Sequence, residues 1–260
     1  ESRRTVQDFV NAEKPSEIIW VRGATEGLNL VAQSFARERL GPRDEVLLTG
    51  MEHHSNIVPW QLVCQQTGAR LRVLPILESG ELDLEKLETV LTERTRIFGL
   101  VHVSNALGTV NPVKELTRRA HEVGATVVVD AAQSIPHLPV DVQDLGIDFL
   151  VFSGHKVFGP TGIGALYGRE ELLEAMPPYQ GGGDMISSVT FEKTLYNELP
   201  YKFEAGTPNV AGAVGLREAL RYISEIDLET IAAYESDLLA YAHRRLGELD
   251  GVRIVGTAQK

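Results

Sequence analysis

Residues 148–156 read Asp148-Phe149-Leu150-Val151-Phe152-Ser153-Gly154-His155-Lys156. A short apolar run followed at once by small and polar residues is the pattern of a strand buried on both faces. It places Lys156 at the carboxyl end of that strand. A second run, Ala125-Thr126-Val127-Val128-Val129, ends in the same way in Asp130. Further strand-like runs lie at 17–21, 45–49, 71–75, 96–103 and 163–167. Between them, Leu28, Val31, Ala32 and Phe35 keep helical spacing, as do Val113, Leu116, Ala120 and Val123, and more loosely Leu84, Leu87 and Leu91. Gly41-Pro42, Gly68 and Gly124 read as helix ends.

This alternation predicts an α/β fold, a three-layer sandwich around a mainly parallel sheet of roughly seven strands. The run at 163–167 follows the lysine strand too closely for a parallel crossover, so it is expected to be antiparallel. After residue 177 the pattern changes. Pro177-Pro178 and Gly181-Gly182-Gly183 read as a loop, and 184–209 has little periodicity. Helical spacing returns at 214–223 and again at 228–246. The expected division is a large domain over 1–225, then a linking helix and the first strand, at 252–255, of a smaller C-terminal domain over 226–260. Both ends read as interior sequence, so a chain trimmed at each end is expected.

With 260 residues the chain can bury a large core. Its net charge of −11 argues against nucleic acid as a partner, since phosphate binding needs a basic face. No apolar run approaches a membrane span, so no membrane partner is expected. A single cysteine, Cys64, excludes an internal disulfide framework and suits a reducing, cytoplasmic compartment.

Ligands of open α/β sheets bind beyond the carboxyl ends of the strands. A lysine and an aspartate at two such ends are what pyridoxal 5'-phosphate (PLP) requires: an amine for its aldehyde and a carboxylate for its pyridine nitrogen. The other strand ends supply partners. Arg22-Gly23-Ala24-Thr25-Glu26-Gly27 opens a helix where backbone N–H groups can meet a phosphate, or where Thr25 simply caps the helix. Met51-Glu52-His53-His54-Ser55-Asn56 offers an imidazole that can stack on a planar ring or move protons. The adjacent histidines lack metal-ligand spacing, so no metal is expected. Asn105 is placed either to meet a substrate carboxylate or to serve the turn before Gly108. Gln133 lies one turn past Asp130, and Ser153 and His155 flank the lysine.

These residues resemble the fold-type I PLP enzymes of the class V aminotransferase group, and within it the group II cysteine desulfurases and selenocysteine lyases. The stretches that carry the resemblance are Arg22–Asn29, Met51–Trp60, His102–Gly108, Val129–Gln133, Phe152–Gly162 and Phe203–Asn209. They run the length of the chain. The resemblance implies a PLP-dependent transferase large domain and conversion of L-cysteine, or L-selenocysteine, to alanine. It also implies a homodimer and a possible sulfur-acceptor protein for iron-sulfur cluster assembly. Lys156 would be the Schiff-base lysine and proton shuttle, and His53 the stacking acid–base group. Asp130 would pair with the ring nitrogen and Gln133 with the phenolic oxygen. The backbone of Ala24, with Thr25, Ser153 and His155, would hold the phosphate. Thr207 would reach the phosphate of the partner subunit, and Asn105 would contact the substrate carboxylate. The family's sulfur-taking cysteine falls beyond residue 260. Cys64, within Val58-Pro59-Trp60-Gln61-Leu62-Val63-Cys64, is expected to be a buried structural residue rather than a substitute.

Overall fold

A computed structural model describes residues 1–256. The seven expected strands all form: β1 (Ile18–Val21), β2 (Glu45–Thr49), β3 (Arg70–Leu74), β4 (Thr95–Val101), β5 (Thr126–Asp130), β6 (Phe149–Ser153) and β7 (Gly164–Gly168). They make one sheet in the order β1-β7-β6-β5-β4-β2-β3. The pairs from β3 through β6 are parallel, whereas β7 runs antiparallel to both β6 and β1. The antiparallel β7 agrees with the short 157–162 connection.

Helices α1 (Ser2–Val10), α2 (Ala24–Leu30), α3 (Val58–Thr67), α4 (Leu87–Val90), α5 (Val113–Glu122), α6 (Val142–Leu145), α7 (Glu170–Glu174), α8 (Val210–Ile226) and α9 (Leu228–Gly247) surround it. Successive strand residues feed opposite cores. Val46, Leu48, Ile97, Val128, Phe149 and Val151 pack with Leu28, Val31 and Phe35 of α2 and its continuation, and with Trp60 and Val63 of α3. Leu47, Phe98, Leu100, Val127, Val129, Leu150 and Phe152 pack with Val6 of α1, Leu116 of α5 and Leu220 of α8. Two covered faces explain why these strands are apolar at every position rather than at alternate ones. The three-layer α/β/α sandwich predicted from the sequence is therefore the observed one.

Two segments depart from the sequence reading. Within 184–209, a hairpin forms from β8 (Ile186–Val189) and β9 (Thr194–Tyr196). The segment 252–255, expected to be a strand, is not one. It has no ladder partner among the described residues, and a strand needs a neighbour to satisfy its backbone groups. Residues 257–260 of the expected C-terminal unit lie outside the described residues. Among the described residues no helix is long and apolar enough to cross a membrane.

Candidate active site

The carboxyl ends of β2, β4, β5 and β6, with the first turn of α2, enclose a cavity of about 220 Å³. Ala24, Thr25, His53, Asn105, Asp130, Gln133, Ser153, His155 and Lys156 all line it. Residues from 24 to 156 thus converge because parallel strands deliver their carboxyl ends to one edge of the sheet. Thr207 is not among them. It lines a neighbouring cavity of about 320 Å³ with Trp20, Arg22, Tyr179 and Glu204.

Two glycines bring α2 to this edge. A Cβ on Gly27 would lie 2.7 Å from Val151 Cγ1, so the helix rests directly on β6. Gly23 adopts φ +155°, and a Cβ there would come within 3.0 Å of Ser153 Oγ. Gly23 is the N-cap and no side chain caps the helix, so Thr25 does not serve as the cap that its position allowed. The Ala24 N–H donates to Ser153 Oγ at 2.9 Å. With its oxygen accepting from that amide, the Ser153 hydroxyl still has its own proton to donate.

Asp130 is 3% exposed. One of its carboxylate oxygens accepts from the Ala132 N–H at 2.9 Å, and no described residue donates to the other. Burial raises its pKa, while the Ala132 N–H, Lys156 and His53 pull it down. A buried carboxylate with a vacant acceptor facing a cavity fits a cationic N–H group, as a protonated pyridine nitrogen is. The donor set around the cavity therefore fits PLP.

His53 caps the short helical turn His54–Asn56. Its Nδ1 accepts from the Ser55 N–H at 3.2 Å and lies 2.8 Å from Ser55 Oγ. Beneath it sits a group that the sequence reading passed over. Glu52 is buried, and its carboxylate accepts from Thr49 Oγ1, from the Val101 N–H at 2.8 Å and from Asn56 Nδ2 at 2.6 Å. Asn56 Oδ1 in turn accepts from Trp60 Nε1 at 2.8 Å. Glu52 therefore ties the ends of β2 and β4 to the loop that carries His53. Its place beside His53 in the sequence was the only available signal, because its partners lie on other elements.

Burial pushes the Glu52 pKa up to about 8. Its folded value lies above that of an unfolded glutamate, so the stability it contributes is present at low pH and lost as pH rises toward 8. His102 acts in the opposite sense: burial lowers it to about 4, so its contribution is lost as pH falls toward 4. Glu52→Gln is expected to flatten the loss of stability between about pH 5 and 8, by at most about 1.4 kcal/mol per pH unit. Urea midpoints across that range check this; a slope equal to that of the unsubstituted chain contradicts it.

The segment carrying Thr207 is anchored from the opposite end of the chain. Glu204 accepts both Arg3 guanidinium nitrogens at 2.8 and 2.9 Å and the Trp20 N–H at 2.7 Å. Arg3 also lies over the Trp20 ring, 5.2 Å from its centroid. Cys64 is 7% exposed and its thiol is pushed up to about 11 by burial, the setting of an inert thiol.

A family model described as "Aminotransferase class-V" matches residues 1–260. A probable cysteine desulfurase of Mycolicibacterium paratuberculosis is 55% identical over 260 residues, which are 100% of this chain and 38% of that protein. The solved structure of the cysteine desulfurase CsdA of Escherichia coli, in an S-sulfonic acid form, superposes with a TM-score of 0.96 at 43% identity, covering 99% of this chain and 65% of that one. A C-DES variant with glycine covalently linked to its PLP cofactor matches with a TM-score of 0.85 at 25% identity, covering 99% of this chain and 68% of that one. The chain spans 38 to 64% of the length of curated relatives such as these.

Proposed function

The chain belongs to the class-V aminotransferase family, and from that premise we propose that it is the cofactor-holding part of a PLP-dependent cysteine desulfurase. The observation that carries this reading is the convergence of Lys156, buried Asp130 and His53 on one cavity. Bound PLP supplies an electron sink that makes the Cα and Cβ of an amino acid reactive. Lys156 would hold its aldehyde carbon and would move a proton at the Cα of a bound amino acid. Asp130 would keep the ring nitrogen protonated through its vacant oxygen, and His53 would cover the ring face. Gln133 would donate to the phenolic oxygen. The Ser153 hydroxyl, with Thr25, Ala24 and His155, would hold the phosphate, and Asn105 would meet the substrate carboxylate.

The reaction proposed for the whole protein is L-cysteine plus an enzyme thiol giving L-alanine plus an enzyme persulfide. Buried Cys64 is poorly suited to be that thiol, so the sulfur-taking cysteine is assigned to sequence outside these 260 residues. We place the domain boundary at residue 226. Helix α8 buries Leu216, Leu220 and Ile223, whereas α9 has no buried residue and exposes Tyr234, Leu238 and Tyr241. Homodimerisation that brings Thr207 to a partner's cavity, a sulfur-acceptor protein and a cytoplasmic location belong to the same proposal. A single turnover of a longer protein containing this chain with L-cysteine is expected to give alanine and persulfide in equal amounts. Alanine without transferable sulfur contradicts the reading.

A further inference from the structure

His53 is held by its own loop in a way that bears on which of its nitrogens carries the proton. The Ser55 N–H donates to Nδ1 at 3.2 Å, and a backbone amide can only donate. Nδ1 must therefore present its lone pair. The Ser55 hydroxyl, 2.8 Å from the same nitrogen, can donate to it or accept from it, so the Ser55 amide is the group that discriminates between the tautomers. A proton on Nδ1 would instead face the Ser55 amide hydrogen and lose that bond. Both Ser55 and His53 line the cavity, and with Nδ1 committed to Ser55, Nε2 is the nitrogen left for a bound group.

We propose that Ser55 is a positioning residue that fixes neutral His53 as the Nε2–H tautomer. His53 then meets a bound substrate or cofactor as a hydrogen-bond donor, and its basic lone pair is turned away toward the loop. The role is narrower than a general acid–base assignment: the neutral ring can donate to an anionic or carbonyl oxygen, or to a thiolate, but cannot accept a proton at Nε2. The anchoring of this loop by Glu52 and Asn56 keeps the Ser55 donors in register with the ring. The inference deepens the proposed PLP reading and rests on it for its chemical consequence.

The test is long-range proton–nitrogen NMR of the histidine rings in the 260-residue chain, at a pH where the imidazole is neutral. The His53 signals are assigned by their loss in His53→Gln. The expected result is one protonated nitrogen at Nε2 and one lone-pair nitrogen at Nδ1. Ser55→Ala removes the hydroxyl donor and keeps the amide. A hydrogen bond of ordinary net strength biases such an equilibrium roughly fivefold, and because the retained amide supplies that bias the variant is expected to keep the Nε2–H spectrum. A proton found on Nδ1 in the unsubstituted chain overturns the proposal, as does a Ser55→Ala spectrum that moves to an averaged or Nδ1–H form. The measurement is made without cofactor, so it stands apart from the PLP reading, whose own failure would show as a flat absorption titration with PLP.

Discussion

Lys156→Ala is expected to remove the visible absorption band of the PLP-loaded chain entirely. The band depends on a covalent bond between the cofactor aldehyde and an amine, and Lys156 is the one lysine among the described residues that lines the cavity. The substitution shortens a half-buried side chain on the turn after β6 and breaks no side-chain hydrogen bond among the described residues, so the fold is expected to persist. Circular dichroism and the urea midpoint then separate loss of the site from loss of the protein. A band of unchanged intensity and position in Lys156→Ala would contradict the assignment.

Asp130→Asn carries the second large effect, and its sign differs between the free and loaded chain. In the free chain, burial raises the pKa of this carboxylate, so ionised Asp130 costs stability above the ordinary carboxylate range. Asparagine keeps an acceptor for the Ala132 N–H and carries no charge, so the free chain is expected to become more stable near neutral pH. In the loaded chain the same change removes the partner of a buried cationic ring nitrogen. Breaking one side of such a pair costs about 2–5 kcal/mol, which is on the order of thirtyfold or more in affinity. Thermal midpoints of the free chain and PLP titration of the same sample are expected to move in opposite directions. If Asn weakens the fold and leaves PLP affinity intact, Asp130 is a structural residue.

The sheet was legible because burial on both faces is written directly into strands such as Val127–Val129 and Phe149–Phe152. The antiparallel β7 followed from the length of its connection. The β8–β9 hairpin was not legible: its strands are largely exposed, Val189 and Leu195 included, so no core imposes alternation on them. The residues that line the cavity were legible from their places just past apolar runs. What the sequence could not show were the contacts that tune them. The Ser153 hydroxyl takes the Ala24 amide across 129 residues of chain, and Glu52 gathers donors from β2, β4 and the loop to Asn56. A glutamate beside two histidines looks like a solvated loop residue until those partners are placed.

Thr207 marks another limit of the same kind. Its motif, Phe203-Glu204-Ala205-Gly206-Thr207-Pro208-Asn209, is set against β1 by the Trp20 N–H bond to Glu204 and against α1 by the Arg3–Glu204 pair, and it opens on a different cavity from Lys156. Its separation within one chain is what a residue serving a second subunit requires, so its proposed role stands or falls with dimerisation.

The central claim is that this chain holds PLP through Lys156 in the cavity formed by β2, β4, β5, β6 and α2. Titrating the 260-residue chain with PLP, reducing with borohydride and mapping the modified peptides tests it most directly. The account predicts one pyridoxyl group per chain, on Lys156. No incorporation, or incorporation spread over other lysines with Lys156 unmodified, would contradict it.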